Sequence, residues 1–146
     1  MKKIILEILL ALSLPATIFH TQLAGVFTAE KPVTKQITYS ITGDSNYKAA
    51  AYDKTLATVH ITVFTVKSHR QTVLWDKVYE TIPVKKYAAN CNALGQTIKV
   101  KNIHDGKEQL FITYTVTYDT QGNKMQLING TTVLKGEKEG KLVINI

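Results

Sequence analysis

Cys91 is the only cysteine in this chain of 146 residues. One thiol cannot close an internal disulfide or build a Cys-rich zinc site, because both need several converging sulfurs. Arginine is almost missing as well, with Arg70 alone among many lysines. Nucleic-acid grooves favour clustered arginines interleaved with exposed aromatics, so nucleic acid is not an expected partner. Three prolines and eight glycines exclude collagen-like and Pro-rich repeats. No G-x-G-x-x-G, phosphate loop or G-x-S-x-G elbow occurs, and the glycines fall singly. There is no internal repeat and no sign of a second domain.

Positive charge and strand-like alternation are what the chain has in quantity. Eighteen Lys+Arg against eleven Asp+Glu give a formal net charge of +7 and a pI near 9.4. The N-terminus opens Met1-Lys2-Lys3 and continues as an apolar stretch over 4–19, broken by Glu7. A basic start before a short apolar core is the pattern of a secretory signal. It falls short of the about 20 apolar residues a spanning helix needs. The expected organisation is a signal peptide over 1–24, a linker over 25–32 and one domain over 33–146. The alternative is an uncleaved signal kept as an N-terminal membrane anchor. The expected location is extracytoplasmic, either periplasmic or secreted.

From Pro32 onward apolar and polar residues alternate with a period of two, which is how half-buried strands read. Val33, Ile37, Tyr39 and Ile41 share one face, as do Ala57, Val59, Ile61 and Val63, and later Leu110, Ile112, Tyr114, Val116 and Tyr118. Turn formers recur every 8–12 residues, a spacing typical of sandwiches and small barrels. The expected fold is therefore all-β: an antiparallel β-sandwich of about seven strands, immunoglobulin-like in architecture but without the Cys…Trp…Cys hallmark. Ile37, Tyr39, Val59, Ile61, Ile112, Tyr114, Val116 and Ile144 should form one core. Asp105-Gly106 favours a tight type I′ hairpin, and Asn129-Gly130 reads first as a turn. The segment 84–95 reads as the longest loop, because it has neither a strand pattern nor a tight-turn signature.

No catalytic set emerges. His60, His69 and His104 have no metal-ligand spacing, so neither a metal nor a cofactor is expected. Cys91 has no evident base beside it, and the acids mostly sit at turns or next to lysines, as on a solvated surface. The threonine-rich outer faces follow from ordinary strand propensity. The reading is a non-enzyme: an exported interaction module of the bacterial cell envelope that binds a protein or an anionic glycan. The alternative is an inhibitor or immunity-type protein that blocks a partner enzyme with one loop. Loops held by a rigid scaffold carry function. The partner-binding residues are therefore expected in 84–95, as Lys85, Lys86 and Tyr87: two cations beside an amphipathic ring. Lys99 and Lys101 should share an outward strand face.

Overall fold

The alternation resolves into seven strands: β1 (Val33–Thr42), β2 (Thr55–Lys67), β3 (Arg70–Pro83), β4 (Leu94–Ile103), β5 (Gln109–Thr120), β6 (Asn123–Val133) and β7 (Glu139–Asn145). The computed structural model describes residues 30–90 and 94–146. The signal expected over 1–24, linker residues 25–29 and Cys91 lie outside the described residues. Lys31–Ile146 form one compact unit. A three-stranded sheet, in the order β4-β1-β7, packs against a four-stranded sheet, in the order β3-β2-β5-β6. This is the β-sandwich that the alternation implies. Every pairing is antiparallel except β1 with β7, which is parallel. No turn links the first strand to the last, so nothing forces that pair to run in opposite directions.

The inner faces of the strands form one core. Ile37, Tyr39, Val59, Ile61, Ile112, Val116 and Ile144 are buried, and Tyr114 is half-buried beside them. Full burial of each branched aliphatic is worth roughly 1.5–3 kcal/mol. Lys35 has the same parity as Ile37 and also points inward, at 1% exposure. Its ammonium lies 2.7 Å from Asp105 and donates to the Leu134 carbonyl at 2.9 Å. Asp105 also accepts from the Gly136 backbone N–H at 3.0 Å. One ion pair thus joins β1, the β4–β5 connection and the β6–β7 turn at one end of the sandwich.

Three local expectations are corrected. The 104–108 turn is not a type I′ hairpin, because β4 and β5 belong to different sheets and the chain crosses between them. Lys107 and Glu108 both donate to the His104 carbonyl, and Gly106 is not among the residues of positive φ. Asn129-Gly130 is not a turn either; it lies inside β6, opposite Tyr114 and Thr113. A Cβ at Gly130 would sit 2.6 Å from the Ile112 carbonyl oxygen, so glycine is what lets the two strands approach there. Finally, most of 84–95 is not loop. Val84–Asn90 forms a short helix, α1, and β4 begins at Leu94. Val84 and Ala88 are one helical turn apart and both buried, which gives the helix a single apolar side.

Two hairpins have true two-residue turns. Gln121 and Gly122 both take positive φ between β5 and β6, as a type I′ turn requires, and Asp119 accepts from the Gly122 N–H at 2.8 Å. Between β2 and β3 the same positions hold Ser68 (φ 47°) and His69 (φ 64°), neither of them glycine. A left-handed backbone costs an L-residue roughly 1–2 kcal/mol, partly offset on substitution by the larger unfolded-state entropy of glycine. His69→Gly should therefore stabilise the domain by about 0.5–1 kcal/mol. Urea unfolding would show it as a higher midpoint at unchanged slope.

Candidate functional site

One end of the sandwich gathers the residues with recognition chemistry. β1, β3, β5 and β7 finish there, and β2, β4 and β6 begin there, as the pairings Ile41↔Leu94, Leu56↔Pro83 and Thr120↔Asn123 require. The chain leaving β1 makes two 3-10 turns, Ser45–Lys48 and Ala50–Tyr52, the first capped by Asp44, whose carboxylate accepts from the Asn46 N–H at 2.9 Å. Three alanines in this stretch are too few to sustain an α-helix. The short turns instead bring Tyr47 and Tyr52 together.

The tyrosine rings form a cluster. Tyr47 and Tyr52 meet edge to face at 4.9 Å, and Tyr47 lies 5.7 Å from Tyr118 of β5. Tyr118 is almost fully buried, with its ring against that of Tyr47. Burial first, and then the neighbouring Tyr47 hydroxyl, push its pKa well above the ordinary phenol value, so it stays a neutral hydroxyl. Thr55 and Thr120 share a hydrogen bond of 2.9 Å across the strand ends. With Asn123, Lys124 and Met125 of β6, these residues line a hollow of about 340 Å³. Its lining holds hydroxyls, an amide, an ammonium and a thioether, with no carboxylate or imidazole. That set can stack against a ring and donate and accept hydrogen bonds.

The three residues expected to bind a partner sit at this same end, in different states. Lys85 forms an ion pair with Asp53, which immediately follows Tyr52. Both side chains are well exposed, so the pair adds little stability, but it ties α1 to the tyrosine-bearing segment. Lys86 is exposed. Together with Asp53, Pro83 and Ala89, the two lysines line a shallower hollow of about 270 Å³. Tyr87 is a brace. Its hydroxyl donates to the Ile41 carbonyl and accepts from the Leu94 N–H, each at 2.7 Å, and its ring packs on the core. The helix sits against Gly43, where a Cβ would lie 2.5 Å from the Ala88 Cα.

Sequence reasoning missed the tyrosine cluster. Its only trace was two tyrosines flanking a short alanine run outside the strand alternation. Elsewhere, Lys99 and Lys101 are exposed on β4, as the alternation implied, and rim a cleft of about 290 Å³ beside Leu74 and Trp75. His60 faces Asp76 at 3.7 Å on the outer face of the four-stranded sheet. Among the described residues no three His, Cys, Asp or Glu side chains gather as metal ligands. No helix among them is long and apolar enough to cross a membrane. Fold and site together define a seven-stranded β-sandwich with a concave, tyrosine-lined end. Comparison with known protein families, curated proteins and solved structures yields no match for the chain.

Proposed function

We propose that the domain is an exported, non-catalytic binding module of the cell envelope that takes an acidic glycan at its tyrosine-lined end. The observation that carries this reading is the ring-sized hollow walled by Tyr47, Tyr52 and Tyr118, with Lys124 on its rim. Its volume lies at the lower end of small-ligand pockets, which run from about 300 to about 1,000 Å³. Tyrosine offers an apolar face for the C–H side of a sugar ring and a hydroxyl for its oxygens. Lys124 on the rim, Lys48 and Lys54 on the chain segment that carries Tyr47 and Tyr52, and Lys86 on the helix in contact with that segment favour and speed the approach of a polyanion. An inhibitor working through a projecting loop has less support, because 84–90 is a helix braced by Tyr87 rather than a free loop.

The test is titration with polygalacturonate and, separately, neutral dextran at physiological salt. The acidic polymer should bind and the neutral one should not. Tyr52→Ala should weaken that binding by about tenfold, the upper range of one aromatic contact beyond its buried area. Equal affinity for both polymers, or full binding by Tyr52→Ala, would overturn the reading. Binding to neither polymer would move it toward a protein partner.

A further inference from the structure

The two sheets have four outer edges, and three of them carry devices that block strand addition. Along β3 the pairing with β2 breaks register twice, Thr81 takes φ 52°, and Arg70, Asp76, Lys77 and Glu80 punctuate the strand. Along β4 there is a register shift opposite Val33–Lys35, a left-handed Asn102, and the charges of Lys99 and Lys101. β7 is only seven residues long and alternates Glu139 and Lys141 with its apolar positions. Bulges, charges and shortness are the usual means of keeping an edge from pairing with another chain.

β6 has none of them. Its eleven residues pair with β5 from Thr120↔Asn123 to Leu110↔Val133 with no register shift. It contains no proline, and Lys124, near one end, is its only charge. Met125, Leu127 and Ile128 are 62%, 46% and 68% exposed. A long edge in unbroken register, with a single charge near one end and exposed apolar side chains at its middle, is a template for a further strand.

We propose that β6 pairs antiparallel with β6 of a second copy about a two-fold axis at Ile128, joining two four-stranded sheets into one of eight strands. The strand suits itself as a partner. That register sets Met125 opposite Thr131, Leu127 opposite Asn129 and Lys124 opposite Thr132, so no like charges face each other and the inner faces stay on one side. The two Lys124 residues end up eight positions apart, about 27 Å at strand rise, several times the Debye length of about 8 Å. Pairing β6 with β3 or β4 would instead bring a flat edge against bulges and lysines. A two-fold contact also closes on itself and does not propagate into a fibre.

The size of the contact sets its strength. Eleven residues form an edge about 37 Å long, and a strip about 10 Å wide covers roughly 370 Å² per copy. That is about half the roughly 800 Å² per partner of a standard stable interface. The dimer is therefore concentration-dependent, and because each copy is strongly basic it tightens as salt screens the net repulsion. The pairing also places two tyrosine hollows at opposite ends of the joined strands, a bivalent arrangement for a repeating polymer. This last consequence, unlike the pairing, rests on the function proposed above.

Sedimentation equilibrium from micromolar to near-millimolar protein, at low and moderate salt, tests the pairing. The wild type should pass from monomer to dimer and stop there, with tighter association at higher salt. Ile128→Lys sets like charges against each other at the axis and should weaken association by at least about tenfold. Ile128 is mostly exposed, so the melting temperature of this variant should match the wild type. Val73→Lys, a change at a position 53% exposed on β3, should leave association intact. A wild type that stays monomeric throughout would overturn the proposal. So would open-ended oligomers, or an equal loss of association with Val73→Lys. The binding tests on the tyrosine hollow are read separately, so failure of one proposal leaves the other standing.

Discussion

Lys35→Met should cost the domain about 3–5 kcal/mol, the usual penalty for stripping one member of a buried ion pair. Methionine keeps most of the bulk of the lysine's aliphatic stem, so the loss comes from what it leaves behind. Asp105 would keep its charge and the Gly136 N–H but lose its ammonium, and the Leu134 carbonyl would lose its donor. Asp105→Asn should cost less, because Asp105 is 11% exposed and water can reach part of it. The double variant Lys35→Met/Asp105→Leu should recover much of the deficit, since an apolar pair often replaces a buried ion pair at little cost. Denaturant unfolding of the wild type, Lys35→Met, Asp105→Leu and the double variant of those two closes a double-mutant cycle, and a coupling near zero would contradict this account. The pair also sets an acid limit. Burial raises the carboxyl pKa of Asp105, but the Lys35 hydrogen bond, the Gly136 N–H and the charges of Lys35 and Lys135 outweigh it, and the net shift is downward. A depressed carboxylate contributes stability that is fully present above its unfolded pKa of about 3.9. That stability is lost as pH falls through the lower folded value. Asp105→Asn should therefore flatten the stability profile below about pH 4 and leave its shape unchanged near neutrality.

Gly43→Val should be nearly as damaging and should report on the site. A Cβ there would stand 2.5 Å from the Ala88 Cα and 2.8 Å from the Tyr87 carbonyl oxygen. Both are backbone atoms, so no rotamer change relieves the clash and the helix itself must move. Overpacking of this kind costs at least the upper end of the usual 1–3 kcal/mol. The displaced helix would take with it the Tyr87 bridge between Ile41 and Leu94 and the Lys85–Asp53 pair. Gly43→Ala should fall between Val and wild type in thermal unfolding. Unfolding temperatures identical in all three proteins would mean the helix does not rest where the structure places it.

Alternation made most of the strands legible, because one face meets a core and the other meets water. That contrast is sharp along 110–118 and along 56–66. Lys35 escaped because alternation treats a charged residue on an inner face as a misfit, and its partner Asp105 lies far along the chain. Asp105-Gly106 has the chemistry of a hairpin, but turn type depends on whether the flanking strands share a sheet, and β4 and β5 do not. Val84–Asn90 is too short for a helical period to stand out. Only the burial of Val84 and Ala88 against neighbouring elements makes it a helix, and that is tertiary information. Of the site, Lys85 and Lys86 were found by their charge. Tyr87 was singled out by its ring, but its hydroxyl is committed to two backbone groups. The tyrosine hollow needs Tyr47, Tyr52 and Tyr118 from separate elements, and no local window contains all three.

The central claim is that recognition resides in the tyrosine-lined end and not in overall basicity. It is tested most directly by comparing two charge reversals in binding to polygalacturonate at matched salt: Lys86→Glu/Lys124→Glu at that end, and Lys138→Glu/Lys141→Glu away from it. All four side chains are exposed, and both doubles change the net charge equally. The account predicts that the first double loses affinity by about tenfold or more, while the second stays within about threefold of wild type. Equal losses in the two would contradict it, because bulk charge alone would then explain the binding.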